Sequence, residues 1–110
     1  MRKPQLPDLT HLQFLVLAVL HGREQPGRVV RDALAAYGVR RSAAAFYQMM
    51  ARLERDGLVD GYYGQVVVGD QSVTERRYRI TTAGTKVWSE TRAFYESVGL
   101  ASLKQRWSNA

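Results

Sequence analysis

Ser42-Ala-Ala-Ala-Phe-Tyr-Gln-Met-Met-Ala-Arg-Leu-Glu-Arg-Asp-Gly-Leu-Val59, followed at a distance by Arg76-Arg-Tyr-Arg-Ile-Thr-Thr-Ala-Gly84, decides the fold. Ser42 is a good N-cap, and Phe46, Met50 and Leu53 recur along one edge of the helix it would open. Gly57 supplies the stop, and Leu58 returns the chain to the core. Arg76 to Ile80 alternates charged with aromatic or β-branched residues, as the returning strand of a hairpin does. The pair of segments predicts a helix, a glycine stop and a basic β-ribbon.

Working upstream, Leu12, Leu15, Val16, Val19 and Leu20 fall at helical spacing, with Phe14 and Leu17 broadening the face. Asp8 or Thr10 can cap this helix, and His21-Gly22 ends it. A helix that is apolar on nearly every side belongs at the centre of a small domain or under a second subunit. Pro26-Gly27 predicts a turn, and Val29, Val30, Ala33, Leu34 and Tyr37 predict a second short helix ending at Gly38. Downstream of Gly57, Val59, Tyr62, Tyr63, Val66, Val67 and Val68 form one strand, and Val73, Tyr78 and Ile80 mark the next. A tight turn at Gly69-Asp70 would set Val59 opposite Ile80 and Gly61 opposite Tyr78, while a looser turn reaching Ser72 is the alternative. From Thr82 a last helix carries Val87, Thr91, Phe94 and Val98 at a,d-like spacing, with Trp88 and Tyr95 on an adjoining stripe. The expected fold class is mainly α with a two-stranded β wing: a winged helix-turn-helix plus a C-terminal dimerisation helix. The expected organisation is a flexible N-terminal arm at 1–8, a winged-helix DNA-binding domain at 9–81, and a dimerisation helix with its tail at 82–110.

Charge narrows the function. The 110 residues carry 16 Lys+Arg against 10 Asp+Glu, a formal charge of +6, and 13 of the 16 cations are arginine. The sequence pI is about 10.1, in the range that suggests an electrostatic footprint for nucleic acid. Arginine's rigid fork suits phosphates and guanine edges. The chain has no cysteine, which excludes disulfides and thiolate chemistry. The longest apolar run, Phe14 to Leu20, is too short to span a bilayer, so no membrane partner and a cytoplasmic location are expected. His11 and His21 lack metal-ligand spacing and a nearby acid pair; His11 is expected to face solvent and His21 to end a helix. Gly61, Gly64 and Gly69 fall in or beside the hairpin, not in a phosphate-binding loop. No enzyme, cofactor or metal site is expected.

Binding residues follow from the faces. Ala43, Ala44, Tyr47 and Gln48 look away from Phe46, Met50 and Leu53, as the reading surface of a recognition helix does. Gln48 suits adenine, an alanine suits a thymine methyl, and Tyr47 suits a phosphate. The expected DNA-binding set is Arg40, Arg41, Ser42, Ala44, Tyr47, Gln48, Arg52, Arg76 and Arg77. If the five arginines of this set each met a phosphate in two subunits, about ten contacts would give a log–log salt slope near −9. Alternation sends Arg77 and Arg79 to one face of the ribbon and Arg76 and Tyr78 to the other, predicting a wing that is cationic on both faces.

Phe46-Tyr47, then Leu53-Glu54-Arg55-Asp56-Gly57-Leu58-Val59, then Arg77-Tyr78-Arg79-Ile80-Thr81 with Ala83-Gly84, resembles the PadR family of bacterial transcriptional regulators over about residues 10–96. The resemblance implies a winged-helix homodimer that binds operator DNA and represses transcription, with the helix after Gly84 as dimerisation element. The dimerisation set is Val87, Trp88, Thr91, Phe94, Tyr95 and Val98. The resemblance also implies a small aromatic effector near the dimer seam, with Trp88 as its contact. Where family members often carry a Gly-Pro-Arg-like wing tip, this chain has Val66-Val-Val-Gly-Asp-Gln-Ser-Val-Thr74, longer and more apolar. That tip raises an alternative: a winged-helix protein-interaction module without specific DNA binding.

Overall fold

The computed structural model describes residues 5–108, with side-chain environments through residue 99. Residues 1–4 of the expected arm and 109–110 of the expected tail lie outside the described residues, and residues 5–8 form neither helix nor strand. The element order is α1 (His11–Leu20), β1 (Gln25–Pro26), α2 (Gly27–Ala36), α3 (Ala43–Arg55), β2 (Val59–Val68), β3 (Gln71–Ile80) and α4 (Thr82–Ser108).

Local chemistry sets both ends of α3, the start of α1 and the end of α2. Thr10, not Asp8, opens α1 through a capping box: its hydroxyl accepts the Gln13 N–H at 3.1 Å and the Gln13 side chain accepts the Thr10 N–H at 2.9 Å. Ser42 opens α3 by accepting the Ala45 N–H at 3.1 Å. At the far end of α3, Gly57 takes φ +74°, its N–H donates to the Glu54 carbonyl, and Leu58 N–H donates back to Leu53. Those two bonds make a Schellman stop, and the same pairing closes α2 at Gly38 and Val39.

The core joins all the principal elements. Val16, Leu17 and Leu20 of α1 meet Val30 and Leu34 of α2, Phe46, Met50 and Leu53 of α3, and Val59 and Tyr78 of the sheet. The greasy first helix is thus the centre of its own domain. Leu12, Leu15 and Val19 pack on this core from partly buried positions, and so do Val87 and Trp88 of α4.

The hairpin has the predicted register, with Val59 opposite Ile80, Gly61 opposite Tyr78 and the turn at Gly69-Asp70. Gly69 has φ +63° and Asp70 has no positive φ, the pattern of a turn with glycine first. The sheet, however, has three strands in the order β1-β3-β2, because Gln25 and Pro26 pair with Tyr78 and Arg77. Two residues that include a proline carry no alternation to betray a strand. Pro26 is tolerated there because β1 lies at the sheet edge.

A knot of hydrogen bonds sets α4 against the end of α3. The Thr81 hydroxyl donates to the Gly57 carbonyl at 2.7 Å and accepts the Gly84 N–H at 2.9 Å, while Thr81 N–H donates to the Leu58 carbonyl at 3.1 Å. Gly84 is buried in the approach this creates. Among the described residues, no helix is long and apolar enough to cross a membrane, and no group of acids and histidines could hold a metal ion.

Candidate nucleic-acid interface

The outer side of α3 is one continuous exposed stripe. Ala43, Ala44, Tyr47, Gln48, Ala51, Arg52 and Arg55 are all exposed, and Phe46, Met50 and Leu53 are buried opposite them. This division follows from helical period alone: an amphipathic helix docked by one edge leaves the other to solvent. Ala51 and Arg55 extend the expected surface by one turn. Ala51 carries no polar signal in the sequence, yet its spacing from Tyr47 and Gln48 places it on the stripe.

At the N-terminal end of the stripe, the loop before α3 carries Arg40 and Arg41, both exposed. Arg31 of α2 donates its Nε–H to the Arg41 carbonyl at 3.1 Å and so pins this loop. Arg41, Gln48 and Arg52 together line an open cleft of about 350 Å³ with Thr10, Gln13 and Met49, which brings the start of α1 beside the stripe. Ser42 lies between, its hydroxyl oxygen already accepting the cap bond. None of Arg40, Arg41, Arg52 and Arg55 forms an ion pair with another described residue.

Tyr47 is more anchored than its position suggests. It is 40% exposed, its ring meets Phe46 edge-on with centroids 5.0 Å apart, and it lies over Gly27 so closely that a Cβ there would stand 3.0 Å from the Tyr47 hydroxyl. The absent side chain at Gly27 gives this ring its seat.

The wing departs from expectation. Arg76 and Arg77 are not free cations. The Arg76 guanidinium lies 2.6 Å from Glu54 of α3 and sits over the rings of Tyr63 and Tyr78, at 4.8 and 5.7 Å. Arg77 pairs with Glu75 at 2.8 Å and Glu24 at 3.7 Å, Arg28 joins Glu75 at 3.3 Å, and Arg79 pairs with Asp60 at 3.4 Å. The Tyr62 hydroxyl donates to Glu24 in the same network. The wing predicted to be cationic on both faces is therefore balanced by its own acids. Alternation correctly assigns each arginine to a face and places Glu75 and Asp60 beside Arg77 and Arg79, but Glu54 arrives from α3 and Glu24 from the segment after α1, beyond the reach of strand periodicity. Glu54 is the residue of this surface that strand periodicity does not reveal. Gly61 in mid-strand was its one trace, since a glycine there marks a close approach.

Burial works against the Arg76 charge, but the Tyr78 hydroxyl, Glu54 and Tyr63 outweigh it and raise its pKa, so it is a permanent cation. Burial also pushes the Tyr78 hydroxyl up, while Arg76 pulls the other way. With the folded value raised, the unfolded chain ionises first, at about pH 10. The stability Tyr78 contributes is thus fully present below that pH and lost as pH rises through the folded value. In Tyr78→Phe, the decline of the urea midpoint above about pH 10 is expected to be shallower than in the parent; an unchanged decline would show that Tyr78 contributes nothing to it.

The dimerisation set divides. Thr91 is 2% exposed within its own chain, with its hydroxyl donating to the Val87 carbonyl at 2.6 Å, and it leaves nothing for a second subunit. Back-bonding to the preceding turn lets a polar residue occupy this buried position. Val87 and Trp88 likewise pack on their own core, and Phe94 is half-buried. The Trp88 ring stacks on His21 at 4.0 Å, lies 6.3 Å from Phe14 and takes Arg92 at 5.8 Å, so it is already covered and is not the expected open ligand face. Only Tyr95 and Val98, each 46% exposed, remain open. His11 is exposed beside Tyr95, and His21 is the C-cap of α1, as expected.

Among the described residues, four helices, an exposed stripe on the third and a small three-stranded antiparallel sheet define a winged helix. No family model matches the chain, and comparison with curated proteins gives no match. Solved structures do match. A PadR family transcription regulator from Clostridium difficile superposes with TM-score 0.70 at 13% identity, over 86% of this chain and 97% of that one. The PadR family transcriptional regulator from Eggerthella lenta has TM-score 0.62 at 29% identity, covering 84% of this chain and 80% of its own. Bacillus subtilis PadR, solved in complex with operator DNA, has TM-score 0.58 at 14% identity, over 74% of this chain and 46% of that longer one. The fold is that of the PadR-like transcriptional regulators.

Proposed function

We propose that this chain is a sequence-specific DNA-binding transcriptional regulator, a repressor that acts as a homodimer on a pseudo-palindromic operator. The observation that carries this reading is the exposed stripe of α3, bordered by four arginines with no ion-pair partner among the described residues. Ala44, Gln48 and Ala51 read base edges in the major groove, while Arg40, Arg41 and Arg52 hold phosphates. Similarity to a PadR solved on its operator supports the assignment.

The dimer rests on α4. Its 27 residues span about 40 Å, and from Arg92 to Gly99 none of its side chains is buried. A helix overhanging its domain with Tyr95 and Val98 open to water gains little from propensity alone and needs a partner. A second copy supplies one, and the two-fold axis would set recognition helices about 34 Å apart. An open recess of about 380 Å³ lined by His11, Phe14, Arg92, Tyr95 and Glu96 adjoins this overhang, and we assign it, rather than the Trp88 face, to any flat aromatic effector.

The second reading, a protein-interaction module, draws on the wing tip. Val67 is 74% exposed, and from Gln65 to Thr74 the ribbon carries no cation and one acid, Asp70. Salt dependence separates the two. With Arg76 and Arg77 engaged internally, Arg40, Arg41 and Arg52 in two subunits make about six phosphate contacts, so the slope of log K against log salt should be near −5 rather than −9. Titration of a selected duplex between 50 and 300 mM salt, roughly the useful range, checks this. A slope shallower than about −2 would favour the protein partner.

A further inference from the structure

Between α3 and the wing lies a groove of about 430 Å³ lined by Tyr47, Ala51, Glu54, Tyr63, Arg76 and Tyr78. Two of these residues, Tyr47 and Ala51, belong to the exposed stripe, so a duplex docked on α3 would carry a strand of its backbone past this groove. The cation the groove offers is Arg76, and it is spoken for. Its Nη2 lies 2.6 Å from Glu54 Oε1. The pair is not sealed away: the two side chains are 27% and 24% exposed, open enough to exchange with an arriving anion.

Its seat is built by a glycine. A Cβ on Gly61 would overlap the Glu54 carboxylate and stand 2.6 Å from Arg76 Nη2, so the pair lies flat against β2 only because residue 61 has no side chain. The rings of Tyr63 and Tyr78 hold the guanidinium from the strand side. A phosphate diester reaching this position meets a carboxylate first and a cation whose charge is already matched. A charge-matched arginine releases no counterion-driven affinity until its partner is displaced.

We propose that Glu54 is an intramolecular competitor for DNA phosphate: by holding Arg76 across Gly61 it withholds the wing's arginine from the backbone and limits sequence-independent binding. The proposal rests on the DNA-binding reading above and names the residue that tunes it. Its effect is on specificity. Base contacts of α3 are untouched by Glu54, whereas affinity for any duplex rises when the carboxylate is neutralised, so the ratio of specific to non-specific binding falls.

The test is Glu54→Gln, which keeps the side chain's size and hydrogen-bonding capacity and removes its charge. Binding to a random-sequence duplex at about 150 mM salt is expected to tighten on the order of tenfold per dimer, and the salt slope to steepen by about 2, one phosphate per subunit. Adding Arg76→Gln to that variant should abolish both gains. Gly61→Ala, which pushes the pair apart from the strand side without altering either charge, should move binding in the same direction. It also serves as the readout should Glu54→Gln fold poorly. No gain in either variant, or a gain that survives Arg76→Gln, overturns the proposal. Failure of the parent chain to bind any duplex would instead sink the DNA-binding reading, a result distinct from parent binding with no gain in Glu54→Gln.

Discussion

Gly84→Ala is expected to cost about 3 kcal/mol of stability or more, a large share of the roughly 5–15 kcal/mol that holds a domain of this size together. The added methyl would overlap the Leu58 carbonyl oxygen and stand 2.8 Å from Ile80 Cγ1. Neither neighbour can retreat cheaply. The Leu58 carbonyl already accepts the Thr81 N–H, and the Thr81 hydroxyl is held between the Gly57 carbonyl and the Gly84 N–H. Relief would need α4 to lift off the end of α3, undoing the packing of Val87 and Trp88. Gly99→Ala is the control, since a Cβ there meets nothing within 4 Å and should stabilise the helix by up to about 1 kcal/mol. Urea denaturation of both variants decides the matter. A Gly84→Ala midpoint equal to the parent's would mean that the close approach does not set the fold.

The second large effect separates the faces of α3. Leu53→Ala removes a fully buried side chain and should cost about 2–5 kcal/mol of stability. Gln48→Ala touches no core residue; it should leave the urea midpoint unchanged and weaken operator binding by about 1–3 kcal/mol per half-site, with specificity relaxed at one base position. Tyr47→Ala falls between. It should weaken binding too, but its ring also packs over Gly27 and against Phe46, so a stability loss of about 1 kcal/mol is expected beside the binding loss. Paired urea and operator-binding measurements resolve the three. Equal loss of stability in Leu53→Ala and Gln48→Ala would undo the assignment of the stripe.

Several elements were legible because their causes are local. A hydroxyl at Ser42, a glycine at Gly57 and apolar residues at helical spacing between them specify α3 locally. The hairpin register follows from the Gly69-Asp70 turn and strict alternation. The wing's electrostatics were not legible in the same way. Arg76 and Arg77 look like free cations along the strand, but Glu54 reaches Arg76 from 22 residues away in sequence, and Glu24 joins the neighbouring Glu75 on Arg77 from 53 residues away. Likewise Thr91 sits on an a,d-like stripe that serves a dimer and an intramolecular contact equally well on paper. Only the angle at which Thr81 and Gly84 launch α4 places it against α1.

Sequence alone determined what depends on near neighbours and on period: the capped helices, the glycine stops, the turn, the buried edge of α3 and the exposed one. Tertiary structure decided what depends on opposite charges meeting from distant segments, and on which of two apolar surfaces a helix reaches first. Backbone dihedrals and side-chain period are set within a few residues. Coulomb pairing and burial depend on distances in space, which exist only once the chain has closed on itself.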